Sequence, residues 1–414
     1  MAENGGTGWL AIPDFRRLWL VGFILVVVRW LEMLAVGVFT YQVTGSAAIV
    51  AMMTMLRILP MGLFGAFFGA AADVLERRSA LILVVVAMMA SSLTVAALAN
   101  AGALEVWHLA VASFVNGVGW ATDNPVRRMM IGDVVGPERM GPAMSLDVGT
   151  NNASRMLGPT LGGVLLATAG IAGVFWLGAG LYVVGLFAAL AIQTRSRPTG
   201  VDAGVDGVSF LGGLRDGIVW LRGDRRLLGV FLITIIFNVF GWPSMSMIPV
   251  IGKDDLGLGP EGVGLLASVD GVGAFAGALT IMILGRAAWY GRIYVSGLAL
   301  FLTMIIGFAV APRIAMDGAV LSGVVLSGAA LLVLGVGGAC FSVMQATLVY
   351  LHAPTAMRAR LLGLLSVCIG TGPIGFFYLG FLAEALSAQV ATMAMGAQGL
   401  VVLALTHRYW RAIG

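Results

Sequence analysis

The 414-residue chain is 59% hydrophobic and only 11% charged, with a mean hydropathy of +0.99. Soluble domains run near a quarter charged, so this composition excludes a large soluble protein and indicates an all-α chain that crosses a membrane many times. The net charge of +4 carries no nucleic-acid signature, because the arginines follow the membrane boundaries set out below.

In chain order, MAENGGTGWLAIPDFRR lacks the pattern of a cleavable leader, so the first apolar segment is expected to remain as an anchor. Runs of about 20 apolar residues then predict twelve segments, at 17–40, 46–70, 80–100, 106–129, 143–169, 172–194, 227–250, 260–284, 292–312, 318–350, 361–384 and 387–407. Arginine placement orients them. Of the 24 Lys+Arg, Lys253 and Arg313 fall on one side, and Arg29, Arg57 and Arg155 lie inside segments. All the rest gather on the other side, which puts both termini in the cytoplasm of a bacterium whose inner membrane the chain crosses. The longest polar stretch divides the chain into a first half (1–194), a linker (195–226) and a second half (227–414). Within the linker, FLGGLRDGIVWLRGDRRLL (210–228) reads as an amphipathic helix on the inner leaflet.

The halves echo each other. GAFFGA (65–70) closes segment two and GAFAGA (273–278) lies in segment eight, while GPTLGG (158–163) in segment five answers GPIG (372–375) in segment eleven. Small residues every four positions let helices approach closely. Two parallel six-helix halves with a site between them is a transporter architecture.

Three motifs now carry a resemblance. GAAADVLERR (69–78) resembles the loop motif of the major facilitator superfamily through Gly69, Asp73, Arg77 and Arg78, with Glu76 where a glycine is usual. SRMLGPTLGG (154–163) resembles the superfamily's exporter and antiporter signature through Gly158, Pro159, Gly162 and Gly163, with Ser154 in place of its first glycine. The run 123–159 resembles the enterobactin-exporter-like branch of efflux transporters. The resemblance implies twelve transmembrane helices in two pseudo-symmetric halves, alternating access, and a cytoplasmic latch at Asp73. It also implies that segments one, four, seven and ten line a cavity, that two, five, eight and eleven flank it, and that three, six, nine and twelve face lipid. Read without it, Asp73 and its arginines are topology-fixing charge, and the segment-five glycines are tight packing.

The charges inside segments are the candidate machinery. At a 1.5 Å rise, Arg29, Arg57, Arg155 and Asp270 fall near mid-depth, whereas Asp123 and Asp147 sit nearer the cytoplasmic side. Glu32 is the first proton-carrier candidate, with Asp123 and Asp147 after it, because a buried carboxyl shifts its proton affinity with burial and with nearby arginine. Two further readings of Glu32 stand beside this one: a static i, i+3 pair with Arg29, and direct substrate contact. Arg127 and Arg128 are expected to form a gate network with Asp123 and Asp147. Trp30, Asn116, Trp120, Asn238, Trp242, Gln345 and Tyr350 are the candidate cavity residues. The 22 methionines offer an adaptable apolar lining.

The expected function is export of a small amphipathic compound by a monomer in the bilayer, driven by a proton gradient and without any cofactor. Lipid or lysolipid translocation is the second reading, and a non-transporting sensor or assembly subunit the third. An enzyme is not expected, since no nucleophile–base arrangement, metal spacing or phosphate loop is present. Cys340 and Cys368 lie in apolar runs and are expected to pack.

Overall fold

A computed structural model describes residues 11–74, 76–194, 219–221, 223–314, 320–354, 357–411 and 413, with the side chains of 65–74, 137, 287, 320, 358–360, 362 and 363 left out of the description. The fold is an all-α, multi-spanning bundle. Ten helical stretches, two of them counted across short breaks, are long and apolar enough to cross a membrane among the described residues.

The first half begins with α1 (Pro13–Thr44), whose Pro13 opens the helix where no backbone donor is needed. Gly45, at φ 64°, ends it by returning its N–H to the Tyr41 carbonyl. Then come α2 (Ala47–Val74), α3 (Arg77–Asn100) and α4 (Val106–Val135), the last capped by reciprocal Glu105 and His108 contacts. A 51-residue helix, α5 (Met140–Leu190), follows. It is interrupted at Gly170, whose φ of 66° and ψ of −174° no other residue type adopts readily. The break falls between predicted segments five and six and turns the chain back as two limbs, 140–169 and 171–190.

The second half starts with a broken element. α6 (Arg225–Ile236) runs into a π turn (Phe237–Gly241), a 3-10 turn (Trp242–Met247) and α7 (Ile248–Asp254). Pro243 and Pro249 each withhold a backbone donor, so a continuous α-helix is not sustained through this stretch. α8 (Pro260–Leu284), α9 (Tyr290–Ile314) and α10 (Val320–His352) are long helices. Predicted segment eleven is also broken, into α11 (Arg358–Ile369) and α12 (Gly372–Ala385), with Pro373 in the opening turn of the second piece. α13 (Ala388–Leu405) and the short α14 (His407–Trp410) complete the chain. Of the stretch 210–228, the part before residue 219 lies outside the described residues.

Glycines set the closest helix pairs. A Cβ on Gly162 would lie 2.6 Å from the Leu31 carbonyl oxygen, and one on Gly158 2.6 Å from the Trp30 Cβ, so segment five packs onto segment one. A Cβ on Gly375 would meet the Val239 carbonyl and the Pro243 ring, so segment eleven packs onto segment seven in the same way. The halves meet along two seams, α5 with α8 and α2 with α12. At the first seam, a Cβ on Gly264 would come within 3.0 Å of the Gly163 Cα, and one on Gly271 within 2.8 Å of the Met156 backbone.

Candidate functional site

Two polar systems occupy the bundle, one inside the first half and one between the halves. In the first, Asp123 of α4 is fully buried, and its Oδ1 accepts a 2.9 Å bond from Arg127 Nε one turn later. Arg127 reaches on to donate to Asp147 of α5. Its guanidinium fits because Gly22 of α1 leaves the space, where a Cβ would stand 2.7 Å from Cζ. Arg128 Nε lies 3.7 Å from the other Asp147 oxygen. The Arg127 and Arg128 side chains thus meet Asp123 and Asp147.

Arg29 and Glu32 take different partners, not each other. Arg29 Nη2 lies 3.6 Å from Asp123 Oδ2, and its guanidinium sits 4.6 Å from the Trp120 ring centre. Glu32, 1% exposed, lies 3.9 Å from Arg57 Nη2 and accepts a 2.5 Å bond from the Ser92 hydroxyl. It rests against Gly178 of the second limb of α5, where a Cβ would stand 2.8 Å from Glu32 Oε1. An i, i+3 spacing puts two side chains on neighbouring faces, and here those faces look toward α4 and toward α2 and α3. Each charge therefore meets an opposite charge on another helix. The ionic contacts at 3.6 and 3.9 Å are too long for hydrogen bonds, which leaves Arg29 Nη2, Arg57 Nη2 and Glu32 Oε2 without hydrogen-bond partners.

The second system is a cavity between the halves. Trp30, Met33, Leu34 and Gly37 of α1, Val50 and Thr54 of α2, and Arg155 and Pro159 of α5 form one wall. Trp242, Met245, Ser246, Ile248 and Pro249 of the broken seventh segment, Ala267 and Asp270 of α8, and Phe376 of α12 form the other. Arg155 Nη2 donates to Asp270 Oδ2 at 2.5 Å across the seam, and its guanidinium lies 5.7 Å from the Trp30 ring centre. Trp242 meets Trp120 edge-on at 6.4 Å and Phe376 at 6.2 Å.

Of the residues expected in the cavity, Trp30 and Trp242 line it, and Trp120 backs Trp242. The other four lie elsewhere. Asn116 and Asn238 turn their amides back to the carbonyls of Ala112 and Thr234, bonding their own helices at 3.0 and 2.9 Å. Gln345 donates to the Thr234 hydroxyl at 3.2 Å, inside the second half. Tyr350 is 55% exposed near the end of α10. Short polar side chains that find a local backbone acceptor have no need to face a cavity. In the loop motif, Arg77 pairs with Asp133 of α4 at 2.6 Å and Arg78 donates to the Leu190 carbonyl at 2.8 Å. Gly69 and the backbone of Asp73 lie in the last turns of α2, and the Asp73 side chain lies outside the described residues.

Several contacts have no counterpart in the sequence reading. Ser92 comes from segment three, which carries no charge, and its position beside another serine was the only signal. On the face away from the arginines, Tyr41 bonds Asp254, Lys253 stands 5.0 Å over the Tyr41 ring, and Ser46 donates to Glu384 at 3.1 Å. These contacts tie the two halves together on that face. Thr160 and Ser268 join them at the seam, hydroxyl to hydroxyl, at 2.7 Å. Asp14 accepts the backbone N–H groups of Gln193 and Thr194 at 3.1 and 2.7 Å, pinning the start of α1 to the exit of the second limb of α5. Among the described residues no cluster of His, Cys, Asp and Glu is placed to hold a metal.

The fold and its sites can be set beside known proteins. The structure superposes on a solved nucleoside transporter, a point mutant of NupG, with a TM-score of 0.75 at 15% identity, covering 96% of this chain and 99% of that one. In sequence, the chain is 26% identical over 390 residues to the multidrug efflux pump Tap of Mycolicibacterium fortuitum, covering 90% and 88% of the two chains. It is 20% identical over 277 residues to macrolide efflux protein A of Streptococcus pyogenes, covering 66% and 67%. Residues 6–411 match the family described as transmembrane secretion effector. The chain therefore belongs to the transmembrane secretion effector family of the major facilitator superfamily, a family of membrane transporters and not of enzymes.

Proposed function

We propose that this protein is a secondary active transporter that exports a small amphipathic compound by alternating access in exchange for protons. The observation that carries the reading is the cavity. Both halves supply its walls, the lining is aromatic and aliphatic, and its charge is confined to the Arg155–Asp270 pair. Such a site suits a molecule with a large apolar surface and a few polar groups. It is bordered by the broken seventh segment, and transporter sites favour discontinuous helices.

The reading takes the ten long apolar helices, adds α4 and splits α5 at Gly170, which makes twelve crossings in two halves, 1–194 and 227–414, joined by the linker 195–226. The matching packing of five on one and eleven on seven supports pseudo-symmetry of the halves. The arginine-rich face is assigned to the cytoplasm of a bacterial inner membrane, with both termini there and a monomer as the working unit. The contacts Tyr41–Asp254 and Ser46–Glu384 then close the outer face in this conformation. Relationship to drug-efflux proteins favours the enterobactin-exporter-like, efflux branch of the superfamily. Lipid translocation would call for an opening between segments five and eight, and the glycine seam there is closed.

The test is uptake into inverted membrane vesicles of erythromycin, ethidium, a catecholate siderophore and a lysolipid, with and without an imposed pH gradient. Gradient-dependent accumulation of one of the first three is expected. No gradient-dependent movement of any compound would sink proton-driven export, and movement of the lysolipid alone would move the assignment to lipid.

A further inference from the structure

We propose that Asp270 of α8, set against Arg155 of the other half, is the carboxylate that takes and releases the coupling proton. This rests on the proton-exchange reading above. Sequence pointed to Glu32, Asp123 and Asp147, yet each of these pairs within the first half: Glu32 with Arg57 and Ser92, Asp123 with Arg29 and Arg127, Asp147 with Arg127 and Arg128. When two halves rock as rigid bodies, contacts inside one half travel together and do not change. A group whose surroundings stay the same in both states has no reason to change its proton affinity between them.

Asp270 differs on each count. Its partner stands on the opposite half, beside the seam where Gly264 meets Gly163 and Gly271 meets the Met156 backbone. A helix shift of about 1–2 Å, common at moving interfaces, is enough to break a 2.5 Å contact. The pair is also held by one hydrogen bond rather than two. Asp270 Oδ1 and Arg155 Nε are buried without hydrogen-bond partners, so the Nη2–Oδ2 bond is the polar link between these side chains. Both residues line the cavity, where water and substrate arrive, and Glu32 does not.

Among the described residues, the surroundings offer Asp270 no second cation. α5 presents Arg155. α10 presents Leu332, Gly335 and Val336 along α8, and α1 presents Trp30 and Met33 across the cavity. Arg155 is the charged group within ionic reach of Asp270 among the described residues. Arg155 is the more exposed of the two, 24% against 7% for Asp270. When the pair opens, the guanidinium turns into the wet cavity and the carboxylate stays in the wall. A buried carboxylate that loses its cation is costly, and protonation removes the charge. The step adds one proton: an O–H bond forms on Asp270, Arg155 remains a cation, and no other bond changes. Closure of the pair on the other side of the cycle expels that proton.

The test uses the full-length protein in proteoliposomes, with erythromycin and ethidium as probes, comparing the parent with D270N, D270E and E32Q. Gradient-driven accumulation is expected to vanish in D270N while downhill movement of the same probe continues. D270E is expected to restore the gradient response with its pH profile displaced, and E32Q to keep a response. A D270N protein that still accumulates probe under the gradient overturns the assignment and leaves proton-driven export standing. If D270N loses downhill movement as well, D270E decides: an undisplaced pH profile, or no gradient response, also overturns it. A parent that ignores the gradient removes the export reading itself, and this one with it.

Discussion

Inside the first half, Arg29, Arg57 and Arg127 share a buried volume with Glu32, Asp123 and Asp147. Among the described residues, the matching interior of the second half is neutral. There the Thr234 hydroxyl stands 2.9 Å from Tyr294, accepts Gln345 at 3.2 Å and lies one turn before Asn238, beside Phe237 and Phe341 stacked at 3.8 Å. The difference shows two ways of filling a helix bundle with polar groups. Buried ions cost several kcal/mol each to desolvate, and they repay that only in one arrangement with every partner present. Neutral hydroxyls and amides cost less and bond their own helix as readily as a neighbour. The first half keeps long unbroken α1 and α4 beside its ions, and the second interrupts its seventh segment next to Asn238, where Pro243 and Pro249 withhold backbone donors.

This contrast can be broken, and the largest effect is expected at Arg127. R127M removes the cation that two buried aspartates share, and it should lower stability by about 3–5 kcal/mol, read as the melting of purified protein in detergent. A loss no greater than that of an ordinary surface change would show that the ions are wet and the comparison empty. Next comes G22A, which adds one methyl where the Arg127 guanidinium lies. Overpacking of this kind costs about 1–3 kcal/mol, and R127M should relieve it, so that the two changes together cost less than their sum. The smallest effect is expected in the second half. Y294F removes one neutral hydroxyl bonded to Thr234 and the Val230 carbonyl, and it should cost about 1 kcal/mol in the same melt. If Y294F rivals R127M, the neutral half is as tightly specified as the charged one.

Much of this was open to reading in the chain alone. The boundary between segments five and six falls on the Gly170 break, and Arg127 contacts Asp123 and Asp147, the carboxylates expected beside it. The partners of Arg29 and Glu32 were not legible, because periodicity gives the face a residue occupies and not the helix that will lie there. Counting charges by segment also hid Ser92 and the buried Tyr182, which sits one turn past the glycine that faces Glu32. Pro243, Pro249 and Pro373 were visible as helix breakers, yet hydropathy averages over a window and smooths a break into a span.

Sequence by itself determined the solvent this protein lives in, the order of its apolar segments and the places where glycine permits close packing. Each of these follows from composition or from spacing along one strand of chain. Tertiary structure alone decided which charge answers which, that Asn116, Asn238 and Gln345 turn away from the cavity, and that Arg155 and Asp270, 115 residues apart, meet across the seam. Pairing between helices depends on how their faces are turned toward one another, and that rotation is set by the packing of the whole bundle.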